Sequence, residues 1–250
     1  MPKIELIQGD CLEKMKDIPD KSIDMILCDL PYGTTACKWD TVIPFEPLWD
    51  QYKRIIKDNG AIVLTASQPF TSALVMSNIK MFKYEWIWEK SRTANFMMAK
   101  YVPLKITENI VVFSKGGINQ NTKNKMFYIP QGVKQINKEI TGKVKEVGMN
   151  IYNRLNKKYI QTQTNYPTNV IKIPNEKITL HPTQKPVALF EYLIKTYTSV
   201  GDTILDNCIG SGTTAVAAIN TGRNWIGIEK DENYCKIAEE RIKNIPTKLI

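Results

Sequence analysis

The constraint that bears hardest on this chain is a strand–turn–helix–strand unit placed close to its C-terminal end. Thr203-Ile204-Leu205-Asp206 is a mostly apolar run ending in a carboxylate, and the turn after it carries Gly210-Ser211-Gly212. Ala215 to Asn220 is strongly helical, and Trp225-Ile226-Gly227-Ile228-Glu229 reads as a second strand with a carboxylate at its tip. Such a unit builds part of a parallel α/β sheet, and further strands must complete it. Only 21 residues follow Glu229, too few for the task. The strands read at 4–7, 24–28 and 61–65 must supply the missing half from the N-terminal side. The expected architecture is therefore a circularly permuted α/β sheet.

The intervening chain fits this plan. Asp10 is placed to cap a short helix over 11–16. Phe45 to Lys57 has apolar residues at helical spacing and should end at Asn59-Gly60. Pro69 to Ser77 reads as a helix, 84–88 and 110–113 as strands, Val187 to Tyr197 and Tyr234 to Ile242 as helices. Between about 114 and 175 the character changes. Asn, Gln, Lys, Thr and Tyr dominate, apolar periodicity weakens, and Lys134, Lys138, Arg154 and Lys158 alternate with Tyr128, Tyr152, Tyr159 and Tyr166. This stretch is expected to be an insertion within a single domain spanning 1–250. It reads either as a solvated insertion or as a nucleic-acid-contacting region, with lysines neutralising phosphates and amides reaching base edges.

Composition excludes several classes. No apolar run approaches the ~20 residues of a membrane helix, and the N-terminus lacks a signal-peptide core, so a cytoplasmic protein with no membrane partner is expected. Five scattered cysteines without a C-x-x-C pair, and a single histidine, argue against a zinc site and a disulfide framework; no metal is expected. A formal charge of +9 favours a polyanionic partner.

The turn at 207–214 is not G-x-G-x-x-G and no Walker lysine follows it, so a pyrophosphate cradle is not indicated. Small residues at 210–212 let a ligand approach the backbone, Glu229 is placed to accept from two ribose hydroxyls, and Asp206 would repel phosphate but welcome an ammonium. S-adenosylmethionine fits both ends. The permutation also brings Asp29-Leu30-Pro31-Tyr32, at the end of the 24–28 strand, to the same sheet edge. A carboxylate, a rigid proline and an aromatic ring suit a planar base bearing an exocyclic amino group; a capped turn with a packed tyrosine is the plainer alternative.

Asp29-Leu30-Pro31-Tyr32, then the polar middle segment, then His181-Pro182-Thr183-Gln184-Lys185-Pro186, then Asp206 with Gly210-Ser211-Gly212-Thr213, together resemble the amino-group DNA methyltransferases of the β arrangement. The resemblance covers nearly the whole chain outside 114–175. It implies a Rossmann-like methyltransferase fold in which 114–175 recognises the target, Asp29 and the Leu30 carbonyl accept from the target amino group beside Pro31, and Tyr32 stacks on a flipped base. It implies S-adenosylmethionine held by Asp10, Asp29, Asp206, Gly210, Gly212, Thr213 and Glu229, helped by Thr183 and Lys185. Trp88-Glu89-Lys90 and Glu108 to Lys115 resemble further family motifs near the substrate. Leu30 replaces the family's usual first proline, and Asn207-Cys208 replaces a common Pro-Phe.

The activity that the resemblance implies is methyl transfer to adenine N6 in duplex DNA. Asp at the first motif position points to adenine, with cytosine N4 as the alternative. A non-catalytic basic DNA-binding protein, or an RNA or protein-glutamine methyltransferase, are the rival classes. Ring-carbon methylation would need a cysteine in a Pro-Cys context, which is absent. A cognate restriction endonuclease and a homodimer are left open as partners.

Overall fold

The structure, a computed structural model, describes residues 4–34, 40–94, 96–141, 158–176 and 184–245. Its strands are β1 (Ile4–Gln8), β2 (Ile23–Cys28), β3 (Ile56–Ala66), β4 (Phe82–Ala94), β5 (Lys105–Phe113), β6 (Lys134–Thr141), β7 (Lys158–Thr164), β8 (Val170–Lys172), β9 (Thr203–Asp206) and β10 (Asn224–Glu229). Eight of them form one sheet in the order β1-β10-β9-β2-β3-β5-β4-β8. The first five in that order are parallel, while β5 runs antiparallel to both β3 and β4. The C-terminal strands β9 and β10 thus sit between the N-terminal strands β1 and β2, which is the expected circular permutation.

Strand alternation sends side chains to two cores. Ile26, Cys28, Ile62, Leu64, Val111 and Phe113 face one side, where helices α1 (Cys11–Lys14), α2 (Phe45–Ile55) and α3 (Phe70–Ser77) contribute Cys11, Leu48, Trp49, Tyr52 and Phe70. Met25, Leu27, Ala61, Val63, Ile110 and Val112 face the other, against Leu189, Phe190 and Leu193 of α4 (Val187–Tyr197) and Ala215 and Ala218 of α5 (Thr213–Thr221). Helix α6 (Glu232–Lys243) follows β10 and buries Cys235 and Ala238. Burial on both faces explains why the central strands read as continuous apolar runs.

Two expectations about elements are corrected. Helix α2 stops at Ile55, and β3 starts at Ile56 and runs through Asn59-Gly60 instead of ending a helix there. The β2–β3 register shifts between Ile23↔Ile56 and Met25↔Ala61, and a Cβ at Gly60 would lie 2.7 Å from the Asp24 carbonyl. Gly60 is therefore a close-approach residue of a bulged strand. The strands read at 84–88 and 110–113 extend to Ala94 and back to Lys105, so this hairpin outruns its neighbours.

The separate compact unit is Pro130–Thr168, narrower than the 114–175 segment marked by composition. Residues flanking it belong to the main unit: the Ser114 hydroxyl donates to the Gly60 carbonyl at 2.7 Å, Met126 is buried, and β8 pairs with β4. Within the small unit β6 and β7 pair antiparallel from Lys134↔Thr164 to Thr141↔Lys158, and Lys134, Lys138 and Lys158 are exposed. Among the described residues no helix is long and apolar enough to cross a membrane.

Candidate functional site

β9 and β2 are adjacent through Met25↔Ile204 and Ile26↔Leu205, although the chain leaves β9 towards β10 on its other side. This is the switch point of the sheet, where parallel α/β folds open a crevice beyond the strand ends. The last residue of β9, Asp206, and the residue after β2, Asp29, both reach it. The cleft there measures about 630 Å³ and is lined by Asp10, Asp29, Leu30, Pro31, Tyr32, Lys185, Asp206, Gly210, Thr213 and Glu229. Gly212 stands apart: it has φ +82° and a Cβ there would lie 3.2 Å from Ala238, so its freedom serves the packing of α5 on α6. Thr183, with His181 and Pro182, lies outside the described residues.

Both carboxylate oxygens of Asp29 are engaged. The Tyr32 hydroxyl lies 2.7 Å from Oδ1 and 2.9 Å from the Thr65 hydroxyl, which itself donates to Oδ1. Lys185 donates to Oδ2 at 2.7 Å. The same ammonium is 3.4 Å from Glu108, whose other oxygen accepts from Lys90 at 2.8 Å. Two carboxylates and two ammonium groups thus alternate in a neutral, mostly buried chain. Burial pulls the Lys185 ammonium down, but Asp29 and Glu108 more than offset this and leave it above the ordinary lysine range. Burial raises the Glu108 carboxyl, and Lys185 and Lys90 more than reverse that. Lys185 is therefore placed as the anchor of Asp29. Tyr32 stacks on Phe70 with centroids 5.2 Å apart, and Lys185 lies 5.6 Å from its ring centroid. Burial, then Asp29 and Glu108, hold the Tyr32 phenol protonated well above the usual value.

On the β9 side, Asp206 accepts from the Cys208 amide at 3.0 Å and from the Thr214 hydroxyl, which ties the turn to the start of α5. Burial raises its carboxyl to about 7, against the opposing pull of these bonds. Glu229 accepts from the Gly210 amide at 2.8 Å and the Asp231 amide at 2.9 Å, so it also sets the turn. Nothing lies within 4 Å of a Cβ built on Gly210, so its face of the cleft is open to a ligand. Asp10 caps α1 through the Leu12 amide at 3.0 Å and faces Lys230 at 3.2 Å. Asn207 turns inward, accepting from Tyr52 at 2.5 Å. Cys11, Cys28 and Cys208 gather beneath the turn. Hydrogen bonding to Cys208 and burial raise Cys11, and burial raises Cys28 to about 12. Such thiols are poor nucleophiles.

The model of a DNA methylase family matches residues 23–240. The chain belongs to this family. Among curated proteins, this DNA methylase is 28% identical to the type II methyltransferase M.HinfI of Haemophilus influenzae, across 96% of this chain and 68% of that one. It is 29% identical to the DNA adenine methyltransferase YhdJ of Escherichia coli K12, across 95% and 82%. A crystal structure of M1.HpyAVI with S-adenosylmethionine superposes with a TM-score of 0.61 at 25% identity, covering 96% of this chain and 100% of the other.

Two contributors lay beyond sequence reasoning. Thr65 is a lone hydroxyl inside an apolar strand, a weak signal of its contact with Asp29. Phe70 lies within the helix read over 69–77, and nothing in that reading signals its contact with Tyr32.

Proposed function

We propose that this methylase transfers a methyl group from S-adenosylmethionine to the N6 amino group of adenine in double-stranded DNA. The observation that carries the proposal is Asp29 held beside Tyr32 at the switch-point cleft, one strand away from the Asp206 turn. The residues present fit the methyl donor: an open backbone at Gly210, carboxylates at Glu229 and Asp10 for the nucleoside, and Asp206 for the ammonium, with Thr213 at the start of α5. When bound, the donor supplies a methyl carbon activated by a sulfonium.

The protein's part is positioning and electrostatics. An exocyclic amine is a weak nucleophile because its lone pair is delocalised into the ring. Accepting its two N–H bonds at Asp29 and the Leu30 carbonyl favours a pyramidal nitrogen with a localised pair. Pro31 fixes φ and donates no backbone hydrogen bond, which leaves this carbonyl able to face the base, and Tyr32 offers a stacking surface for a base taken out of the duplex. Lys185 and Thr65 hold the Asp29 carboxylate in place. We assign Pro130–Thr168, with Lys134, Lys138 and Lys158, to recognition of the DNA target. The adenine assignment is supported by Asp29 and by the name of YhdJ. We place the enzyme with DNA in the cytoplasm. The type II name of M.HinfI supports a cognate endonuclease, which co-purification would test, and light scattering would test a homodimer.

The deciding experiment is transfer of labelled methyl from S-adenosylmethionine to unmethylated genomic DNA, followed by nucleoside analysis, with Asp29→Ala and Tyr32→Ala alongside. N6-methyladenine lost in both variants is the expected result. N4-methylcytosine would overturn the base assignment, and no transfer to DNA would turn the search to RNA or protein.

A further inference from the structure

The β4–β5 hairpin overhangs the sheet edge at which Asp29 stands. Ala66, the last residue of β3, pairs with Asn109, so residues 105–108 of β5 continue past it. At about 3.3 Å per residue this lifts the hairpin roughly 13 Å above the end of β3. Its inner wall belongs to the catalytic network, since Glu108 binds Lys185 and Lys105 donates to the Ser67 hydroxyl. The base of the hairpin is held by Asn175, whose side chain accepts from the backbone amides of Ser91 at 3.2 Å and Arg92 at 3.3 Å.

The tip is ordered by its own backbone, with the Ala99 amide on the Phe96 carbonyl at 3.1 Å and the Tyr101 amide on that of Met98 at 2.9 Å. Yet it turns its large side chains outward: Phe96 is 79% exposed, Met97 92% and Tyr101 78%. A contiguous apolar crest on a structured tip marks a contact surface. Its surroundings select the partner. From Lys90 to Lys105 the chain carries Lys90, Arg92, Lys100 and Lys105 and no acidic residue. A crest of aromatic and thioether side chains amid phosphate-neutralising cations suits nucleic acid.

We propose that the β4–β5 tip is the wedge that opens the duplex, with Phe96 and Met97 entering the base stack beside the target adenine while Arg92 and Lys100 seat on the flanking phosphates. This rests on the proposed DNA methylation. Filling the stack from the catalytic edge compensates for unstacking at the moment the base swings towards Tyr32.

The test uses the full chain and a duplex whose site is first mapped by sequencing the bases that wild type methylates in genomic DNA. The Phe96→Ala/Met97→Ala variant is compared with wild type on that duplex and on one whose target adenine faces an abasic position and is already unpaired. The expected result is a loss of roughly tenfold or more in kcat/KM on the paired duplex, restored to within about twofold of wild type on the unpaired one. Arg92→Ala/Lys100→Ala should lower the salt slope of DNA binding by about 2. An equal loss on both duplexes, or none on either, overturns the wedge. So does a change in sedimentation with unchanged kinetics, which would make the crest a contact between copies. Absence of transfer to any DNA by wild type overturns the methylation reading itself and the wedge with it; transfer by wild type with an indifferent variant overturns the wedge alone.

Discussion

Lys185→Met separates two roles for one residue. The resemblance places Lys185 with the cofactor, whereas its ammonium lies 2.7 Å from Asp29 and 3.4 Å from Glu108. Methionine keeps most of the buried stem and deletes the charge, leaving two carboxylates facing each other without their shared cation. Breaking a buried pair from one side costs about 3–5 kcal/mol. The side chains of Asp29 and Glu108 retain 25% and 16% exposure, so water partly replaces the lost partner and the low end applies, about 3 kcal/mol. For a chain of this size that lowers Tm by roughly 6–12 °C. With Oδ2 released, Asp29 loses one of its two anchors, and misplacement by an ångström at such a centre costs on the order of a hundredfold in turnover.

Thermal melts, isothermal titration with S-adenosylmethionine and single-turnover methyl transfer would check this together. The expected pattern is the lower Tm, donor affinity within about threefold of wild type, and transfer reduced roughly a hundredfold. Adding Glu108→Gln removes the like charge facing Asp29 but takes the partner from the buried Lys90 ammonium, 2.8 Å away, so it should recover none of the rate and no net stability. A Lys185→Met enzyme that binds donor tenfold more weakly yet transfers methyl at the wild-type single-turnover rate would refute the anchoring role and return Lys185 to the cofactor.

Asp206 makes a pH prediction. Its folded carboxyl sits near 7 against an ordinary 3.8, so its contribution to stability is fully present below 3.8 and declines as pH rises to about 7. A cationic ammonium favours the ionised form, so S-adenosylhomocysteine should bind up to about tenfold more weakly at pH 6 than at pH 8. Calorimetry on wild type and Asp206→Asn checks this; a flat wild-type profile sinks it. Gly60→Ala forces a Cβ to 2.7 Å from the Asp24 carbonyl and should destabilise the β2–β3 pairing by about 1–3 kcal/mol, read by chemical denaturation, whereas an unchanged midpoint would mean the bulge relaxes freely. In the small unit, Lys134→Ala/Lys138→Ala should reduce the salt slope of DNA binding by about 2, and an unchanged slope would remove these lysines from the interface.

The permuted sheet was legible because its evidence is one-dimensional. Strands buried on both faces leave long apolar runs, carboxylates mark their ends at Asp29, Asp206 and Glu229, and element order then leaves one way to close the sheet. The insertion boundaries were less legible. Met126 and Ile171 are single buried residues in polar surroundings, and β8 contributes three residues with one turned inward, too few to show a period. Gly60 misled for a related reason. Glycine ends helices and also admits a neighbouring carbonyl, and only the register against β2 distinguishes the two.

The site divides along the same line. Which groups reach the switch point is set by the strand ends, and Asp29, Tyr32, Asp206, Gly210 and Glu229 all line the cleft. Which acceptor a given donor chooses is not set there, because the partners come from elements with no sequence relation. Lys185 and Asp29 are 156 residues apart and meet only because α4 is seated against β2. A buried lysine selects the partners that offset its desolvation, and two carboxylates converging at one sheet edge are worth more to it than a solvated ligand. That balance seats the Lys185 ammonium on Asp29 and Glu108. The Asp29 carboxylate is thereby held from both sides, by Thr65 and Tyr32 on one oxygen and by Lys185 on the other.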